Sequence, residues 1–409
     1  MTLLPRLAGL LTLVFALNGV CVAENWPRFR GPLGTGHTTE TDIPVKWTKA
    51  DIAWTAPLKG EGQSSPVIWG DRIFLTSALD KGKQRLVFCL DRKTGKVLWE
   101  HVAWKGTPEP THVMNGYASS TCVTDGERVY ASFGFAGLHA YTVEGKHLWS
   151  EELGKFQSKN KRGTAASLAL VDNLVIFNGD SESDPFLFGI DKLTGKTVWK
   201  ADRPKAEGYS TPILIDVKGK RELVLNGDPY VAAFDPASGK QLWKCKSFNG
   251  RGEPTVTYAH GLIYAVNGLP GDVYAIKPGG DGDVTKSHMA WHTPRKGNRD
   301  QPSPLVIGDY LLVADMKGLL TCYNAKDGKQ LWRERICSSQ LTSAPMAANG
   351  LAYFIDEKGV VDVIKPGPKL EVVSHNDIGS KDLFRASPVP CDGQLFLRSN
   401  TALYCIGKK

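Results

Sequence analysis

The chain has 409 residues, 42% of them hydrophobic and 22% charged, with a formal net charge of +8. The basic residues are dispersed, densest at Lys159, Lys161 and Arg162, so the balance reads as solvated surface with weak attraction for acidic polymers, not as a nucleic-acid site. Beyond the first 23 residues no stretch is long and apolar enough to cross a bilayer.

Residues 1–23 read as a secretory signal peptide. Arg6 supplies a positive start, Leu10 to Leu17 an apolar core, and Cys21-Val22-Ala23 a small-residue cleavage site before Glu24. Acylation of Cys21 as a lipoprotein is the alternative, and Asn18-Gly19-Val20 fits it less well. The expected location is therefore periplasmic or secreted, after cleavage. Residues 24–50 read as an extended segment in which Trp26 and Phe29 plug onto the domain that follows, a partner-binding hook being the alternative.

From residue 51 to 409 the sequence repeats. LVFCLDRKTGKVLWE (86–100), FLFGIDKLTGKTVWK (186–200), AAFDPASGKQLWK (232–244) and LLTCYNAKDGKQLWR (319–333) are copies of one phrase, with a worn copy, LHAYTVEGKHLWS, at 138–150. Trp99, Trp149, Trp199, Trp243, Trp291 and Trp332 close successive units spaced 41 to 50 residues apart, the length of a four-stranded propeller blade. In the first unit the strands are 64–70, 71–78, 84–91 and 97–100. Two further units follow Trp332, and the last stops one strand short. Asp51 to Pro57 has the form of the missing fourth strand, with Trp54 45 residues before Trp99, so the first and last segments should share a blade. The expected fold is all-β: a single eight-bladed propeller.

Gly95, Gly145, Gly195, Gly239 and Gly328 should supply the positive φ of the turn between third and fourth strands. The Trp that follows offers a flat face for the neighbouring blade. Pro66, Pro212, Pro254, Pro304, Pro345 and Pro388 open innermost strands, where no ladder donor is needed. Cys89, Cys322 and Cys405 share one third-strand slot with Ala140, Gly189, Ala233 and Ala275, so they read as small buried residues, as do Cys122 and Cys391. Cys245 and Cys337 follow fourth strands and lack evident partners. No CxxC is present.

The Asp-x-x-Thr-Gly-Lys-x-x-Trp phrase, with a small residue two places before the Asp, resembles the pyrroloquinoline quinone (PQQ) propeller repeat, and the resemblance covers about residues 50 to 407. Within that superfamily the chain looks like the compact members, which include the BamB-type subunit of the outer-membrane β-barrel assembly machinery. The opening NWPRFRGPLGTG (25–36) is similar to the start of exported PQQ-like propellers of planctomycete-type bacteria. The resemblance implies an envelope protein. For the large quinoprotein alcohol dehydrogenases it would imply adjacent cysteines, a Trp against the quinone, a Glu–Asn pair on calcium and an Asp base. This sequence has no adjacent cysteines and no insertions between blades to roof a cofactor, so no catalytic residue carries over.

Function is then sought in the loops that enter the innermost strands and should ring one channel mouth. These bring Asn115 and Tyr117, Arg162, Tyr209, Arg251 and Glu253, Arg299 and Asp300, and Arg385. Arg162, Arg251, Arg299 and Arg385 come from different blades and could converge on an anionic ligand or an acidic partner segment by bidentate contacts; alternatively the charges pair internally, for example Arg251 with Glu253. His288 and His292, four apart on an expected strand, lack a third ligand nearby and read as exposed histidines, not metal ligands. Asp281-Gly282-Asp283 reads as a Gly-rich turn, not a calcium site. No metal ligand set and no catalytic residue is assigned.

Two readings follow. The first is a non-catalytic exported scaffold that binds an envelope or secreted protein, with no cofactor. The second is a PQQ- and calcium-dependent quinoprotein oxidoreductase, or a quinone-binding relative. A glycosidase with carboxylates drawn from Glu207, Glu253, Asp300 and Asp382 ranks last.

Overall fold

The computed structural model describes residues 24–247, 250–266, 271–295 and 302–408. The signal-peptide reading therefore lies outside the described residues. No described helix is long and apolar enough to cross a membrane.

Eight antiparallel sheets are arranged as propeller blades, at 67–105, 123–151, 169–202, 213–246, 257–293, 305–335, 346–377 and 389–406. The eighth has three strands of its own and is completed by Ile52–Pro57, which pairs antiparallel with Ala402–Ile406 and sets Trp54 opposite Cys405. The expected closure is thus the observed one, and it leaves no blade short of an outer strand.

The repeated phrase has a local and a tertiary job. Locally, Asp91 Oδ1 accepts from Thr94 N (2.8 Å) and Thr94 Oγ1 (2.6 Å), and Asp191 and Asp235 do the same for Thr194 and Ser238. The side chain satisfies turn donors, which fixes the hairpin. The following Gly takes positive φ, +70° at Gly95, and its missing Cβ leaves room for a ring: a methyl there would lie 2.6 Å from Trp54 of the preceding blade. Six indole N–H groups donate to a carbonyl in the next blade's turn, from Trp54 to Arg92 O (3.2 Å) through Trp332 to Gly367 O (3.0 Å). Each of these six therefore bonds across a blade junction, and all but Trp332 also lie against the glycine of the next turn.

The small slot has a physical cause. Cys89, Ala140, Gly189, Ala233, Ala275 and Cys322 each sit directly opposite the Trp of their own blade. A Cβ on Gly189 would lie 2.2 Å from Trp199. Blade 7 has no Trp, and there the slot holds Val363 opposite Ser374. In blades 1 to 7 a register shift follows the slot residue, and in blades 1, 2, 3, 5 and 6 the bulged strand carries a Trp whose indole reaches the next blade. All seven described cysteines are free and buried. Burial pushes the Cys245 thiol up to about 11 and the other six to about 12, so they behave as small apolar residues.

Three local expectations need correcting. Pro66, Pro212, Pro304, Pro345 and Pro388 immediately precede their strands, but Pro254 stands three residues before Thr257–Ala259. Cys245 lies within the fourth strand Gln241–Lys246, not after it. Gly282–Asp283 is not a free turn. It adds a fifth, parallel strand to blade 4 alongside Trp243, whose indole accordingly donates to Glu222 (2.8 Å) and not to the next turn.

Candidate functional site

The segment 25–38 runs across one end of the central channel. Trp26 is 2% exposed and pairs through its backbone with Ile68 of blade 1. Arg28 donates to Pro212 O (2.7 Å), and Arg30 to Pro304 O (2.7 Å) and Thr35 O (2.9 Å). Gly36 and Thr38 pair with Ala347 of blade 7. Phe29 faces up the channel and lines its cavity. Both arginines are buried, and desolvation pushes Arg28 down to about 10 and Arg30 to about 9. Carbonyls at strand ends, which have no ladder partner there, take their donors. Trp26 and Phe29 thus act as plugs, and Arg28 and Arg30, on either side of Phe29, do the bonding.

Above this floor the channel wall is a ring of hydroxyls. Ser65 N donates to Thr121 Oγ1, Thr121 N to Ser167 Oγ, Ser167 N to Thr211 Oγ1, Thr211 N to Thr255 Oγ1 and Thr255 N to Ser303 Oγ, all at 2.9–3.1 Å. Ala344 N donates to Ser387 Oγ and Ser387 N to Ser65 Oγ, both at 3.0 Å. The ring is open at one link, because Ala344 has no hydroxyl to offer Ser303 N. The sequence carries a signal for this ring, a Ser or Thr in one column just before the innermost strands, next to the more conspicuous Pro.

Two contiguous cavities of about 190 and 160 Å³ lead from the ring to the open mouth. Of the expected mouth residues, Asn115, Arg162, Tyr209, Glu253 and Arg385 line them. Arg251 does not, but it stands behind Glu207, with Nε 3.3 Å from the same carboxylate oxygen that Arg162 meets at 2.5 Å, and with Nη1 3.4 Å from Glu253. Arg385 Nε lies 2.7 Å from Glu357, a residue the sequence reading did not single out. Tyr117 is misplaced by the sequence reading. It lies outside the mouth against the buried guanidinium of Arg85, 4.6 Å from its ring centre. Arg299 and Asp300 lie outside the described residues.

Arg162, Arg251 and Arg385 do come from different blades, but carboxylates hold them. The Glu207 and Glu253 side chains are each 7% exposed, so these pairs are screened little by solvent. Among the described residues the mouth is consequently a tied network of three arginines and three glutamates and not a bare cationic ring. Asn115 Nδ2 adds bonds to Arg162 O (2.7 Å) and Thr164 O (3.2 Å), and burial pushes the Tyr209 hydroxyl above its usual range.

The remaining candidates resolve differently. His288 ends a short helix, Thr285–His288, and only His292 is on the strand, stacked on Tyr274 and 3.0 Å from Asp272. The two histidines therefore do not share a strand face. Asp382 accepts from Ser399 and Thr401 (both 2.8 Å). Among the described residues no cluster of His, Cys, Asp or Glu could hold a metal ion.

A family model described as outer membrane protein assembly factor BamB matches residues 39–183, 183–273 and 269–365. No curated protein sequence matches the chain. Among solved structures, BamB from Moraxella catarrhalis is similar with a TM-score of 0.64 and 15% identity, over 88% of this chain and 97% of that one. The computationally designed Ika8 protein gives 0.65 and 11%, over 88% and 100%, and a europium-containing methanol dehydrogenase 0.58 and 12%, over 94% and 98%. At these identities the likeness is one of fold.

Proposed function

The chain belongs to the PQQ-repeat propeller family typified by the outer membrane protein assembly factor BamB, and we propose that this member is a non-catalytic binding platform of the cell envelope. Its open mouth would present a preformed polar rim to an exported or envelope protein. The observation that carries this reading is the shared Glu207: one carboxylate ties Arg162 to Arg251, and so ties the loops entering blades 3, 4 and 5 into one rigid rim. Rims whose charges are already organised lose little freedom on docking. The opposite end is filled by residues 25–38, which leaves the mouth as the channel's recognition face.

A PQQ site fits these residues poorly. The quinone carries three carboxylates, and at this mouth they would meet Glu207, Glu253 and Glu357 beside arginines already bonded to them. The described cysteines are free and buried in blade cores, and none lines the mouth, so none is at hand to lie against a quinone there.

The platform is tested by immobilising the protein in envelope extract and repeating the capture with Glu207→Lys. A partner retained by the parent chain and lost by the folded variant supports the reading. Absorbance change on adding PQQ with calcium, together with dye reduction by alcohols or sugars, would replace it with the oxidoreductase reading.

A further inference from the structure

Beside the mouth, over blade 2, lies a separate groove of about 490 Å³. One wall is the Thr107-Pro108-Glu109-Pro110 stretch, the other the loop 155–164, and Phe135 lies between them. Both walls are anchored from beneath. Glu109 is 2.7 Å from the fully buried Arg85, which lies over the rings of Trp104 and Tyr117. Phe156 packs 5.2 Å from Phe177, against Gly179, where a Cβ would lie 2.4 Å from its ring.

The rim has one sign. Lys155 and Lys161 have no acidic partner within ion-pair distance among the described residues, and Lys159, with an 83% exposed side chain, reaches Glu182 only at 3.9 Å. Glu182 is otherwise engaged with Lys159 N (2.6 Å), and Glu109 with Arg85. The loop is also held in an unfavourable shape. Phe156 and Lys161 take positive φ, 43° and 52°, where residues other than glycine are disfavoured. Backbone strain kept at two positions of the loop that carries the lysine rim is the pattern of a loop shaped for recognition.

We propose that this groove binds an extended acidic segment of a protein partner, with one large apolar side chain against Phe135 and the prolines, and flanking carboxylates on Lys155, Lys159 and Lys161. The inference rests on the platform reading and specifies the chemistry of the partner and where it docks. The apolar floor, with Phe135 and two prolines, disfavours a simple anion or a uniformly charged polyanion.

The probe is a short fluorescein-labelled peptide that alternates glutamate with phenylalanine and leucine, titrated by fluorescence polarisation. Saturable binding is expected, weakening as salt rises. Lys155→Glu with Lys159→Glu and Lys161→Glu should weaken it on the order of tenfold or more, and Phe135→Ser should weaken it without changing the salt slope. Thermal melting of each variant confirms the fold, and the Lys→Gln set serves if the reversals unfold it. The groove proposal is overturned if the parent chain shows no saturable binding, if a lysine-for-glutamate peptide binds equally, if the lysine variants bind unchanged, or if only anionic lipid vesicles bind. Capture from extract that survives the groove variants but not Glu207→Lys would sink the groove and leave the platform standing.

Discussion

Arg30 Nη2 donates 2.7 Å to the carbonyl of Pro304, joining the N-terminal segment to blade 6 across 274 residues of sequence. Nη2 also holds Thr35 O at 2.9 Å, and Nη1 lies 3.4 Å from the carbonyls of Thr255 and Val256. Arg30→Met should therefore destabilise the protein by about 2–4 kcal/mol, because the buried carbonyls stay behind without donors. Urea unfolding checks the magnitude. Limited proteolysis should show earlier cutting within 25–38 in the variant.

Gly95 and Gly308 both take positive φ, +70° and +55°, but only Gly95 faces an indole ring, and a Cβ on Gly308 meets nothing within 4 Å. Gly308→Ala should cost about 1–2 kcal/mol for the left-handed backbone alone. Gly95→Ala should cost a further 1–3 kcal/mol, roughly, for displacing Trp54. Equal losses in paired denaturation curves would mean that the Trp contact contributes nothing to blade closure.

The open link in the hydroxyl ring can be closed. Ala344→Ser places an acceptor where Ser303 N needs one and should raise stability by about 0.5–1.5 kcal/mol. Ser167→Ala removes the acceptor of Thr121 N, a 2.9 Å bond, and should lower stability by about 1–3 kcal/mol. Opposite signs in calorimetry are the expected outcome.

His139 is 3% exposed, with its ring nitrogens 2.8 Å from Ser150 Oγ and 2.9 Å from Ala136 O. Burial pushes it down from 6.5 to about 4. Between those values the unfolded chain binds the extra proton and the folded chain does not, so stability rises with pH across that window. Acidification from pH 6.5 to 4 should therefore cost up to about 3 kcal/mol from this group. His139→Gln should flatten that limb of the Tm–pH curve, and an unchanged limb would assign the acid sensitivity elsewhere.

Much of the architecture was legible in the residues because each blade is built from neighbours. Asp91, Thr94, Gly95 and Trp99 lie within nine positions of one another, so turn, bulge and outward ring read straight off a short phrase that recurs. Even the closure by Trp54 was legible, since it needed only a count of strands and one missing copy. The small slot was visible too, though its cause, a Trp directly across the ladder, was not.

The site was a different matter. Sequence order placed Arg162, Arg251 and Arg385 on converging loops and offered Glu253 as a partner for Arg251, but it did not show that Glu207 joins Arg162 to Arg251 or that Glu357 meets Arg385. Those pairings depend on loop reach between blades, and a few ångströms decide whether these three cations gather or are neutralised. The same holds for Tyr117, which turned outward to Arg85, and for Arg28 and Arg30, whose acceptors are backbone carbonyls that any sequence possesses. The chain's own periodicity therefore determined the eight blades and how they close. Only the tertiary structure decided that one channel end is filled by the N-terminal segment and that the other presents tied charges, because those contacts join residues the repeat does not relate.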